Sequence, residues 1–138
     1  MNNLIAEFKS EHIRILDTLS SVIELGVTSE EGQRLICSAR VELLNHLQKE
    51  DNILYPELER AAGKDQRLKQ ILFTFSHNIG DITRIATKFF DKYSSGSEGK
   101  ELQIGFDDFV ALLINRLREE EKVLFPEFEK IHERQIEI

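Results

Sequence analysis

The feature that most constrains this chain is an internal echo. The stretch His46-Leu47-Gln48-Lys49-Glu50-Asp51-Asn52-Ile53-Leu54-Tyr55-Pro56-Glu57 is answered 70 positions later by Arg116-Leu117-Arg118-Glu119-Glu120-Glu121-Lys122-Val123-Leu124-Phe125-Pro126-Glu127. Each copy sets a polar group, a carboxylate four residues on, and then an aromatic residue followed by proline. Positions i and i+4 share one face of a helix, so His46 with Glu50 makes one two-group claw and Arg116 with Glu120 makes another. The two prolines of the chain both fall in these stretches. Each removes a backbone donor and crowds the carbonyl one turn back, which predicts a kink or an early end to the regular helix.

The rest of the chain supplies helical periodicity. Leu4, Phe8, Ile15, Leu19 and Val22 or Ile23 predict a first helix over about residues 3–25, ended by Gly26. Thr28, three before Glu31, reads as a capping box; Leu35, Val41 or Leu43, Leu47, Ile53 and Leu54 then carry a second helix to about residue 61. After a break at Ala62-Gly63, Leu68, Ile71, Leu72, Phe75, Ile79, Ile82, Ile85 and Phe89 mark a third helix to about Tyr93. Gly80 inside it points to a close approach or a bend. Ser94 to Gly99 reads as a loop, and Phe106, Phe109, Val110, Leu113, Leu117, Val123, Leu124 and Phe128 mark a fourth helix over about residues 101–133. Four long helices with short connections imply an all-α, up-down-up-down four-helix bundle, one domain over residues 1–138, with helices two and four as partners across an approximate two-fold.

Charge narrows the partners. A formal net charge of −7, with no Lys/Arg cluster standing out, argues against a nucleic acid or an anionic membrane. No apolar run has the form of an export signal or reaches membrane-spanning length. The single cysteine, Cys37, forms no internal disulfide and reads as a small core residue rather than a nucleophile. A reducing cytoplasm is the expected location.

Several polar groups interrupt the apolar stripes. His12 follows Phe8 and precedes Ile15 on helix one, His46 and Glu50 break the stripe of helix two, His77 lies among Phe75, Ile79 and Ile82, and Glu120 precedes Val123 and Leu124. A carboxylate or imidazole turned into a bundle core is costly unless it is paired or holds a metal. A lone inward histidine is more often a hydrogen-bonded core residue than a ligand. Histidines on helices one, two and three, with glutamates on helices two and four, bring the metal reading level with its rival, a buried network in which Arg116 neutralises Glu50 and Glu120. Tyr55 and Phe125 are expected to close the bundle end. The run Glu119-Glu120-Glu121 reads as a solvated face with only Glu120 in phase, and His132 as a helix C-terminal residue with a weaker claim as a ligand.

At these residues the sequence resembles the hemerythrin-like, or HHE cation-binding, domain family, over practically its whole length. The resemblance implies a four-helix bundle holding two non-haem irons. His12 and His46 match terminal ligands of one iron, Glu50 and Glu120 match bridging carboxylates, and His77 matches a ligand of the second iron. Two positions depart from the pattern: Arg116 stands where helix four would offer a histidine, and Phe73 stands where some members carry another. Arginine stays protonated and has no lone pair for a metal.

The expectation is therefore one ion rather than two, iron first with manganese or zinc as alternatives, and Arg116 in the region of the missing cation. Oxygen or nitric-oxide sensing and iron handling are the implied roles, with dioxygen or nitric oxide as the small ligand. Reversible oxygen carriage is disfavoured. No nucleophile with its base can be assigned, so enzymatic action is not expected. The alternative is a metal-free helical interaction or regulatory module, and a homodimer through the C-terminal helix stays open.

Overall fold

A computed structural model describes residues 4–94 and 99–136, with the side chains of 76–83, 92–94 and 132–136 outside the description. Among the described residues there is no strand. The elements are α1 (Leu4–Leu25), α2 (Glu30–Lys49), α3 (Tyr55–Ala62), α4 (Gln66–Ser94), α5 (Gly99–Glu119) and α6 (Phe125–Ile136), with π-helical turns at Glu50–Leu54 between α2 and α3 and at Glu120–Leu124 between α5 and α6. No helix among the described residues is long and apolar enough to cross a membrane.

The connection after α1 is built from three small residues. Gly26 takes φ +93°, a left-handed conformation that L side chains avoid, and its N–H reaches the Val22 carbonyl at 2.8 Å. The N-cap of α2 is Ser29 rather than the expected Thr28. Its hydroxyl donates to the Gly26 carbonyl at 2.9 Å and accepts from the Gly32 N–H at 2.9 Å. That double bond draws the two backbones together, so a Cβ on Gly32 would lie 2.0 Å from the Gly26 oxygen. Position 32 therefore admits only glycine without rearrangement.

The prolines neither end their helices nor leave them regular. Both long helices pass through a widened turn in which the Tyr55 N–H bonds the Glu50 carbonyl and the Phe125 N–H bonds the Glu120 carbonyl, five residues back. Each α-helix then restarts with proline in its first turn, where a missing N–H costs nothing. The same turn keeps the side chains in phase. Buried positions fall at His46, Glu50, Leu54 and Leu58, and at Arg116, Glu120, Leu124 and Phe128, always four apart. A regular α-helix advances about 100° per residue, so three such steps would carry the stripe about 120° off the core. The broader π-turn absorbs that drift.

Neighbouring helices enclose the core: α1 packs on α2 and touches α5, α4 packs on α3 and α5, and α3 meets α6. Two apolar clusters fill it. One contains Ile15, Leu19, Val22, Leu43, Phe106, Phe109, Leu113 and Leu117; the other contains Ile5, Phe8, Leu54, Leu58, Phe75, Leu124, Phe125 and Phe128. Burying each such side chain is worth about 1.5–3 kcal/mol. Between the clusters along α1 and the two π-interrupted helices comes a polar interval: His12 between Phe8 and Ile15, His46 and Glu50 between Leu43 and Leu54, Arg116 and Glu120 between Leu113 and Leu124.

The apolar alternatives resolve cleanly. Val22 and Leu43 are buried, whereas Ile23 and Val41 are exposed; Ile53, expected in the apolar stripe, is also exposed, with Leu54 taking the inward position. Cys37, expected in the core, is exposed as well. It lies one residue past Ile36, which takes the inward position in that turn. Gly80 lies within the continuous α4, with its surroundings outside the description, as are the side chain of His132 and residues 95–98 of the expected loop, whose ends Ser94 and Gly99 are helical.

Candidate metal centre

The polar interval is shielded from bulk solvent. His12, His46, Glu50, Arg116 and Glu120 are all buried, the two glutamates completely. His12 Nε2 stands 3.0 Å from His46 Nε2 and 3.0 Å from Glu120 Oε1. His46 Nε2 is 3.5 Å from the same Glu120 oxygen and 3.4 Å from Glu50 Oε1. His12, His46 and Glu120 thus converge closely enough to hold one metal ion. Two nitrogen ligands at about 2.1 Å and at right angles would lie about 3.0 Å apart, which is the spacing of the two Nε2 atoms.

Outer carboxylates fix the rings. Glu11 Oε1 lies 2.8 Å from His46 Nδ1, and Glu121 Oε2 lies 3.2 Å from His12 Nδ1. A neutral imidazole that donates its Nδ1 proton outward turns its Nε2 lone pair inward, as a metal ligand must. Two such lone pairs 3.0 Å apart repel unless a proton or a cation sits with them. Phe8 meets His46 edge-on at 5.3 Å between ring centroids, and Phe125 stacks on His12 at 5.4 Å, so the rings cannot swing away into open space.

Arg116 sits on the far side of Glu120. Its Nε donates to Glu120 Oε2 at 3.3 Å, one Nη donates to the Phe75 carbonyl at 3.0 Å, and the other donates to the Tyr55 hydroxyl. The guanidinium also lies over the Phe75 ring, 4.5 Å from its centroid. Glu120 therefore divides its oxygens: one faces the histidine pair, the other faces a permanent cation. Both oxygens of Glu50 are buried without a hydrogen-bond partner among the described residues. That is a costly state for a carboxylate, and one that a bound cation would relieve.

The acid-base balance follows from these contacts. Burial, then the neighbouring Glu120 charge, pushes the Glu50 carboxyl well up and outweighs the pull of Arg116. Burial also raises Glu120, but hydrogen bonds from His12 and His46 and the Arg116 charge outweigh it and hold its carboxyl below the usual range. His46 is desolvated, which opposes its charge, yet its bonds to Glu120 and Glu11 raise it overall. Burial raises the Tyr55 phenol, which stays protonated beside Arg116.

Each expected residue has a place. His12, His46, Glu50, Glu120 and Arg116 meet in one layer. His77 belongs to α4, but its side chain lies outside the described residues. Phe73 is 63% exposed, so the departure at that position lies off the layer, and the one at Arg116 reaches into it. Tyr55, expected to close the bundle end, holds Arg116 through its hydroxyl. Glu121 lies on the solvated face expected of it, its side chain 40% exposed, and from there its Oε2 still reaches His12 Nδ1. Glu11 and Lys49 were not legible as site residues. Their pairing spans two helices, and the only local sign was Glu7 and Glu11 at i and i+4.

Fold and chamber together define an all-α bundle with a histidine and carboxylate cluster suited to a cation, holding, among the described residues, fewer ligands than a full dinuclear set. The family model of the hemerythrin HHE cation-binding domain matches residues 3–128, and the chain belongs to that family. No curated protein and no solved structure matches it.

Proposed function

We propose that the protein holds a single divalent ion, iron before manganese or zinc, and serves a small diatomic ligand or iron handling rather than reversible oxygen carriage. His12, His46 and Glu120 would hold the ion and Glu50 would complete the set, with His77 left as the remaining candidate ligand. The observation that carries this reading is the divided Glu120 carboxylate. A bridging carboxylate needs a cation on each oxygen, and here the Arg116 guanidinium already occupies one of them. When bound, iron supplies one-electron exchange and a coordination position for dioxygen or nitric oxide. The protein residues exclude water, orient two Nε2 lone pairs and keep Glu120 ionised.

Metal analysis of chain purified without chelator tests the count. One ion per chain is expected, and two would overturn the reading. Chelation should lower the melting temperature and shift the imidazole resonances of His12 and His46. The second reading, a metal-free interaction module, is favoured by the same ion pair between Arg116 and Glu120. It leaves the two Glu50 oxygens buried without a hydrogen bond among the described residues, and it would prevail if anaerobic reconstitution with iron left stability and those resonances unchanged.

A further inference from the structure

The geometry points to Glu11 and Lys49 as a positioning pair that locks His46 for the ion and sets how tightly the ion is held. The inference rests on the metal reading above and concerns two residues outside the ligand set. Glu11 uses one oxygen on His46 Nδ1 at 2.8 Å and the other on Lys49 Nζ at 2.5 Å. Lys49 reaches further to Glu7 at 3.0 Å, tying two successive turns of α1 to α2. Glu11 is only 12% exposed although it lines a surface groove with Asn45, Gln48 and Asn52, so a half-dry carboxylate is held in one orientation.

The arrangement differs on the other imidazole. Glu121 stands 3.2 Å from His12 Nδ1, is 40% exposed, and has no cation bonded to it among the described contacts. An orienting bond is worth most when its acceptor is itself fixed, because an already ordered group loses less freedom on bonding. His46 is accordingly the anchored ligand and His12 the looser one.

Co(II) uptake by the full chain, followed by visible absorption, tests this. Glu11→Ala should weaken Co(II) binding about 10- to 100-fold, the range that outer partners of metal-bound histidines command. Glu11→Gln keeps an acceptor for the Nδ1 proton and should recover most of that loss. Glu121→Ala should cost less than Glu11→Ala. Nitrogen-15 spectra of metal-free protein should show the His46 tautomer with its proton on Nδ1 losing its dominance in Glu11→Ala and keeping it in Glu11→Gln. Should Glu11→Ala fail to fold by circular dichroism, Lys49→Met carries the test, and weakened Co(II) binding with native helicity is expected. Unchanged affinity in Glu11→Ala, or in Lys49→Met where that variant carries the test, overturns the inference. So does an equal loss in the Ala and Gln variants. If the unmodified chain takes up no Co(II), the metal reading fails first; if it does and Glu11→Ala matches it, only the positioning role fails.

Discussion

Glu50 and Glu120 open the two π-turns at equivalent places in the repeat, and both are wholly buried, yet their surroundings drive them in opposite directions. Glu120 receives two histidines and Arg116 and stays ionised; Glu50 meets only the His46 imidazole at 3.4 Å and the Glu120 carboxylate, and burial beside that charge drives it toward its neutral form. The backbone device is shared, and the residue one turn earlier differs. A histidine at position 46 leaves its carboxylate waiting for a cation, whereas an arginine at position 116 brings one. Equal burial thus gives unequal charge, because a buried carboxylate takes its protonation state from the groups within hydrogen-bond reach.

The largest expected effect removes the fixed cation. Arg116→Met strips Glu120 of its partner and leaves the Phe75 carbonyl and Tyr55 hydroxyl unserved, and it should destabilise metal-free protein by about 3–5 kcal/mol in urea denaturation. Full retention of stability would erase the distinction between the two halves. Glu50→Gln should act in the opposite sense. It replaces an orphaned acid by a neutral isostere, raising metal-free stability at pH 7 by about 1–3 kcal/mol while weakening ion binding. A variant that gains stability and still binds the ion unchanged would take Glu50 out of the ligand set.

The pH profile sharpens the same contrast. A carboxyl whose folded pKa is raised contributes stability that is complete below its unfolded value, about 4.3, and is lost as pH rises toward the folded value. Glu120, lowered, contributes stability above about 4.3 that is lost as pH falls. Metal-free protein should therefore lose stability as pH rises above about 4.3, and Glu50→Gln should remove that part of the loss while leaving the part that the raised His46 contributes above about 6.5. An identical profile in the variant would assign the decline elsewhere. The smallest effect is a control remote from both claws: Ser29→Ala should cost about 1 kcal/mol through the lost N-cap, with no change in metal affinity.

Much of this was legible in the residues. Helical periodicity placed the four long helices, and the i,i+4 pairs placed both claws, because apolar and polar spacing within one helix is a local property. Arg116 declared itself as a departure by its chemistry alone. The widened turns could have been read from the strict four-residue spacing of His46, Glu50, Leu54 and Leu58, set against the 3.6 of a regular helix. Pro56 hid them by suggesting a simple kink.

What the amino-acid order determined by itself was the bundle, its repeat and the residue types available to a cation. Tertiary structure decided which oxygen of Glu120 meets Arg116, that Phe73 lies off the polar layer, and that Glu11 with Lys49 stands behind His46. Those outcomes depend on the rotation and height of one helix against another. Side chains far apart in sequence fix that rotation jointly, through packing such as that of Phe8 and Phe125 against the imidazoles, and no local pattern encodes it.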